Sequence, residues 1–190
     1  MKPAVVGVLL AAGGGRRMGR PKALVTDASG VAWVVRSVDV LRNGGCAEVA
    51  VVLGAASDEA ALLLANHDVT IVPSPEWSTG MGASVRRGLT WARSTRAEAA
   101  LVHLVDLPDV GADVVRRVLA TGIGPDALAR ASYGAQAGHP VLIGRSHFAP
   151  AVAAAVGDRG AGPYLRQAGC LLVPCDDLAH GNDQDYATDP

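Results

Sequence analysis

Two stretches of the chain, Val5–Leu10 and residues 49–53, are apolar without a break, and a third, residues 99–105, is interrupted only by His103. A strand with one wet face alternates polar and apolar residues, and these do not, so each must be covered on both faces. Between them lie helix-period stretches. Residues 33–41 carry Val34, Val38 and Leu41 on one face and close at Gly44-Gly45. Residues 58–65 read as a helix capped by Ser57 or Asp58, and 83–93 and 113–120 as further helices. Residues 69–72 form another strand, stopped by Pro73 and Pro75. Further on, 127–132 and 141–143 read as paired strands, 146–156 and 163–167 as helices, and 171–173 as a last strand before an acidic tail. This alternation predicts an α/β fold: a three-layer, Rossmann-like, mainly parallel sheet with helices on both faces. Ligands of such sheets bind beyond the carboxyl ends of the strands, which directs attention to the residues after Leu10, Val72 and Val105.

The 190 residues suit one domain, expected to span 1–190. A net charge of −1 removes the basic face that a general nucleic-acid binder needs. The run at Val5–Leu10 falls far short of the roughly 20 residues that cross a bilayer. Cys46, Cys170 and Cys175 lack the paired spacing of a zinc site or a disulfide framework, so a reducing, cytoplasmic location is expected. The 17 basic residues divide unevenly: 15 are Arg, and only Lys2 and Lys22 are Lys.

The loop after the first strand is the most informative segment. Ala11-Ala12-Gly13-Gly14-Gly15 is followed by Arg16, Arg17, Arg20 and Lys22, with no acid beside them. Consecutive glycines let backbone N–H groups approach an anion, and four cations in seven residues invite phosphate. The spacing is neither G-x-G-x-x-G, since Gly19 falls one residue late, nor a Walker loop, since Arg20-Pro21 follows Gly19. A second glycine loop, Gly80-Met81-Gly82, opens a helix and brings Ser84. Its backbone and hydroxyl could read a base edge, or Ser84 could serve only in a helix cap. Asp106 stands at a strand end before Pro108, suited to share a divalent cation with phosphate oxygens. Asp109 reads as a turn or cap residue.

Leu10-Ala11-Ala12-Gly13, Arg17-Met18-Gly19 and Pro21-Lys22 resemble the signature loop of the MobA-like nucleotidyltransferases, specifically the molybdenum-cofactor cytidylyltransferases. Gly80-Met81 with Ser84, Gly88 and Leu89, then Asp106-Leu107-Pro108, Gly138-His139-Pro140-Val141-Leu142 and Gly157-Asp158-Arg159-Gly160-Ala161 are similar to later motifs of that family. The resemblance implies the nucleotide-diphospho-sugar transferase type of fold. It implies an NTP-binding segment of Leu10, Ala11, Ala12, Gly13, Gly14 and Gly15, with Arg17 and Lys22 on the phosphates and Gly80, Met81, Gly82 and Ser84 on the nucleotide. It implies Mg²⁺ on Asp106, with Asp185 as second ligand. The tail Asp183-Gln184-Asp185-Tyr186-Ala187 departs from the family's D-I-D-T-P there. His139 and Arg159 fall where the acceptor is expected, although a loop-orienting His139 and an internal Asp158–Arg159 pair fit equally.

The implied reaction is transfer of a nucleoside monophosphate, with CTP as donor, to molybdopterin, releasing pyrophosphate. Arg17, Lys22 and Asp106 would be its catalytic residues, and a molybdoenzyme could receive the product. Guanylyl transfer to the same acceptor, transfer to a sugar phosphate, and a nucleotide- or pterin-binding maturation factor are the alternatives.

Overall fold

The computed structural model describes residues 4–184. β1 (Val5–Leu10) is buried at every position and pairs in parallel with β2 (Glu48–Leu53) on one side and β4 (Ala99–Leu104) on the other. β3 (Thr70–Pro73) extends the sheet beyond β2. Past β4 the order continues with β6 (Gln136–Gly144), β5 (Leu128–Tyr133) and β7 (Leu171–Pro174), giving seven strands in the order β3-β2-β1-β4-β6-β5-β7. β6 runs antiparallel to both neighbours, and every other pairing is parallel.

Helices cover both faces, as the apolar strands require. α1 (Trp33–Gly44), α2 (Ser57–Leu63) and α4 (Ala112–Leu119) pack on the face that presents Val5, Leu9, Val51 and Leu101. α3 (Met81–Ser94), α5 (Phe148–Ala154) and α6 (Gly162–Gln167) pack on the face of Val6, Val8, Val52 and Val102. Among the described residues no helix is long and apolar enough to cross a membrane.

The expected elements are all present, with three local differences. Neither Ser57 nor Asp58 caps α2. Ala56 holds that position in the left-handed region (φ 51) with no side-chain cap, because Ala55 N–H is drawn away to the Ala12 carbonyl. The helix expected over 146–156 is a 3₁₀ turn at Arg145–His147 followed by the shorter α5. Arg145 anchors that turn by donating to the carbonyls of Ala97, Arg93 and Thr95. β6 begins at Gln136 rather than Val141. The Arg130 side chain engages the Gly138 carbonyl, and a register shift between Arg130 and Ser132 absorbs the irregularity.

His103 is the one titratable side chain among the buried polar residues described, the others being Ser37, Ser74, Ser84 and Ser132. It is 1% exposed, lies opposite Leu9 in the β1–β4 register, and its Nδ1 has no hydrogen-bond partner. Burial, reinforced by the Arg36 charge, lowers its pKa to about 4, so the ring is neutral. Between about pH 6.5 and 4 the unfolded chain therefore binds a proton that the folded chain excludes, and stability falls with pH across that window. Urea melts at pH 7.5 and pH 5 should show the loss, on the order of 1 kcal/mol per pH unit from this group. His103→Leu should remove that share of the slope; an unchanged slope would contradict the assignment.

Candidate active site

The parallel strands β1, β2, β3 and β4 all end at one rim, and the connections following them build a cleft there. Its volume is about 470 Å³. The loop after β1 forms one wall with Ala12, Gly13, Gly14, Gly15, Arg16, Arg17 and Lys22. The loop after β3 and the start of α3 form the opposite wall with Trp77, Ser78, Thr79, Gly80, Met81 and Ser84. Leu10, Leu104, Val105 and Asp106 make the floor, and Asp158 reaches the rim.

The glycine loop holds its shape through local constraints. Gly15 sits at φ +58, and its carbonyl accepts the Met18 N–H at 2.9 Å. Only glycine takes that conformation freely, and here a Cβ would also collide with the Arg20 carbonyl oxygen. Pro21 then starts the 3₁₀ turn Lys22–Leu24, whose carbonyl at Leu24 accepts from the Arg20 guanidinium. This turn carries Lys22 back across the strand ends. Its Nζ lies 2.6 Å from Asp106 Oδ2, an ion pair spanning 84 positions in sequence. Both side chains are mostly covered, at 15% and 16% exposure, so the pair is only partly screened.

The cleft brings together Leu10, Ala12, Gly13, Gly14, Gly15, Arg17, Lys22, Gly80, Met81, Ser84 and Asp106. Ala11, 1% exposed, instead packs into the core while its N–H donates to Val52. Gly82 faces the backbone just after α5, where a Cβ would lie 2.8 Å from the Ala155 carbonyl group. Ser84 is not a cap: α3 begins at Met81, and Gly80 precedes it. Arg159 is exposed and lies outside the cleft lining, where its neighbour Asp158 stands. His139 also lies outside that lining. Burial, with the Arg130 charge beside it, lowers its pKa to about 3, and its carbonyl accepts the Tyr133 hydroxyl. Asp109 is a turn residue, as one of the two expected readings has it, and not a helix cap; its carboxylate also accepts the N–H groups of His180 and Gly181. The tail then runs to Gln184, whose N–H donates to the Asp106 carbonyl at 2.9 Å. Asp185 lies outside the described residues.

Arg16, one of the four loop cations, also lines the cleft, and so does Trp77, which the sequence motifs did not single out as a ligand. Its position next to the glycine loops was the available signal. Among the described residues no cluster of three or more His, Cys, Asp or Glu could hold a metal by itself. A single hard carboxylate facing a cationic loop does fit an ion of the Mg²⁺ kind, which takes one or two carboxylates and completes its shell with substrate phosphates and water.

Residues 7–176 match the MobA-like NTP transferase domain. A nicotine blue oxidoreductase from Paenarthrobacter nicotinovorans is 38% identical over 96% of this chain and 93% of its own length. A molybdenum cofactor guanylyltransferase from Rhodobacter capsulatus is 33% identical over 78% of this chain and 67% of its own. Among solved structures, a Mycobacterium tuberculosis H37Rv protein in complex with manganese superimposes with a TM-score of 0.71. It is 25% identical, over 90% of this chain and 87% of that one.

Replacing Gly15 tests the wall of the cleft directly. Gly15→Ala forces a left-handed alanine, costing about 1–2 kcal/mol, onto an occupied backbone position. The far-UV spectrum should stay as in wild type while calorimetric binding of nucleoside triphosphate is lost; unimpaired binding would show that the loop shape is not needed. From the fold, the glycine loop and the match over residues 7–176, the chain belongs to the MobA-like NTP transferase family.

Proposed function

We propose that this chain transfers a nucleoside monophosphate from an NTP to a molybdopterin-type acceptor, releases pyrophosphate, and depends on Mg²⁺. The observation that carries the reading is the Lys22–Asp106 pair at the mouth of the glycine loop. It puts a phosphate-seeking cation and a metal-suited carboxylate at one point, within a cleft lined by Gly13–Gly15 and Arg17. Asp106 would hold the ion, with Asp185 as a second ligand, and the manganese complex of the mycobacterial relative supports divalent-metal use. The chemistry such an ion supplies is withdrawal of charge from the α-phosphate.

The rest falls to the chain. A phosphate monoester is already an anion at neutral pH, so no general base has to create the nucleophile. The barrier is the approach of one anion to another, which is lowered by positioning and fixed positive charge. Arg17, Lys22 and the loop N–H groups would bind the β- and γ-phosphates and stabilise the departing pyrophosphate. Lys22 would exchange Asp106 for phosphate oxygens as the nucleotide enters. A compact ammonium with rotating donors can make that exchange where a planar guanidinium would crowd. His139 and Arg159 remain acceptor candidates, reached only beyond the cleft. The loop motifs favour CTP, and the guanylyltransferase relative favours GTP. A cytoplasmic site of action and delivery of product to a molybdoenzyme belong to the same reading.

The relative named as a nicotine blue oxidoreductase supports a second reading, in which the cleft holds a nucleotide as redox cofactor. The assays separate the two. Protein, Mg²⁺ and reduced molybdopterin should release pyrophosphate with CTP or GTP. Oxidation of NADH or NADPH by nicotine blue, without pyrophosphate release, would favour the second. Tight NTP binding with neither reaction would favour a maturation factor. Asp106→Asn should lower turnover on the order of 10²–10³-fold with folding intact, and full activity would remove Asp106 from the mechanism. Lys22→Arg keeps the charge and should still lose most of the turnover; wild-type rates would show that any cation serves.

A further inference from the structure

Three strand-end connections meet beside the glycine loop. Ala55 N–H, after β2, donates to the Ala12 carbonyl, after β1, at 3.0 Å. Ser74 N–H, after β3, donates to the Leu53 carbonyl at 2.7 Å, and Trp77 N–H donates to the Ser74 carbonyl at 3.1 Å. The side chain at the centre of this junction is Trp77. Its ring base lies so close to Gly54 that a Cβ there would fall 2.5 Å from Cγ and 2.6 Å from Cβ of the tryptophan. The far edge of the indole, Cη2 and Cζ3, lies against Gly14, at 3.1 Å from where a Cβ would stand. Gly13, by contrast, has open space around its Cβ direction. The indole is half-buried and lines the cleft. Trp33 is buried in the α1-side core, and Trp91 packs against the opposite one.

We infer that Trp77 is a positioning residue: seated on Gly54, its indole props Gly14 and holds the backbone donors of the glycine loop in the shape that receives the triphosphate. A rigid ring can do this because it leaves few rotamers to freeze, and glycine at 54 and 14 lets it approach the backbone. The role rests on the nucleotide-binding reading above, since it concerns the loop assigned to the phosphates.

The test uses Trp77→Ala, Trp77→Phe, Gly54→Ala and the Gly54→Ala/Trp77→Ala pair in the full chain. One readout is the rate of trypsin cleavage after Arg16 or Arg17, against cleavage after Arg166 in α6 as control. The other is calorimetric affinity for CTP and GTP with Mg²⁺. Trp77→Ala and Gly54→Ala should each speed loop cleavage about tenfold, since cutting tracks the opened population, and weaken triphosphate binding by a similar factor. The Arg166 control should not change. Trp77→Phe, which restores a flat ring, should stay within about threefold of wild type, and the double variant should be no worse than Trp77→Ala alone, because Gly54 then has no ring to seat. Wild-type loop cleavage in Trp77→Ala overturns the inference. So does an equal rise at Arg166, the mark of a merely structural residue, or an additive double variant. A wild-type protein that binds neither nucleotide defeats the functional reading instead, while the digestion still decides whether Trp77 holds the loop.

Discussion

Everything at the cleft depends on the parallel pairing of β1 with β2 and β4. That pairing buries β1 completely and makes the chain leave the sheet at a shared rim, so the connections after Leu10, Leu53 and Leu104 become neighbours. The backbone bonds there are few and specific: Ala11 to Val52, Ala55 to Ala12, and Val105 to Leu10. A register slip of one residue would turn each strand's side chains over and separate these partners. Such a sheet tolerates the slip poorly because both faces are covered by well-packed helices.

Much of the fold was legible because its signals are of the kind that packing does not override. Strands without alternation demand two covering layers, and helices with apolar residues at 34, 38 and 41 supply one of them. The misreadings come from tertiary bonds that compete with local preference. Ser57 and Asp58 are good caps, yet the pull of Ala55 toward Ala12 puts Ala56 at the cap position. Gly138-His139-Pro140 looks like a break, yet it lies within β6, with the Arg130 side chain on the Gly138 carbonyl. Such contacts join residues that no local window shows together.

The site divides the same way. The glycines and cations of the first loop were readable, because backbone donors beside clustered charge suit few ligands other than phosphate. Asp106 was readable as a carboxylate at a strand end, but its pairing with Lys22 was not, since nothing in the spacing relates two residues so far apart. Asp158 in place of Arg159 at the rim was out of reach too. That turn is placed by close packing on the start of α3, where a Cβ on Gly80 would lie 2.7 Å from Asp158 Oδ1. Trp77 lies just ahead of the second glycine loop, but its contact with Gly14 depends on β2 and β3 ending side by side.

The length of chain between Lys22 and Asp106 has a consequence for folding. The pair cannot form from local structure, because it needs β1, β4 and the turn at Lys22–Leu24 all in place. Contacts between residues so distant in sequence must meet the loop-closure cost that slows the folding of chains rich in non-local pairings. Until those strands pair, the glycines and arginines of the loop have no opposite wall and form no cleft. The glycine loop's lysine and the strand-end carboxylate thus meet only in the native topology.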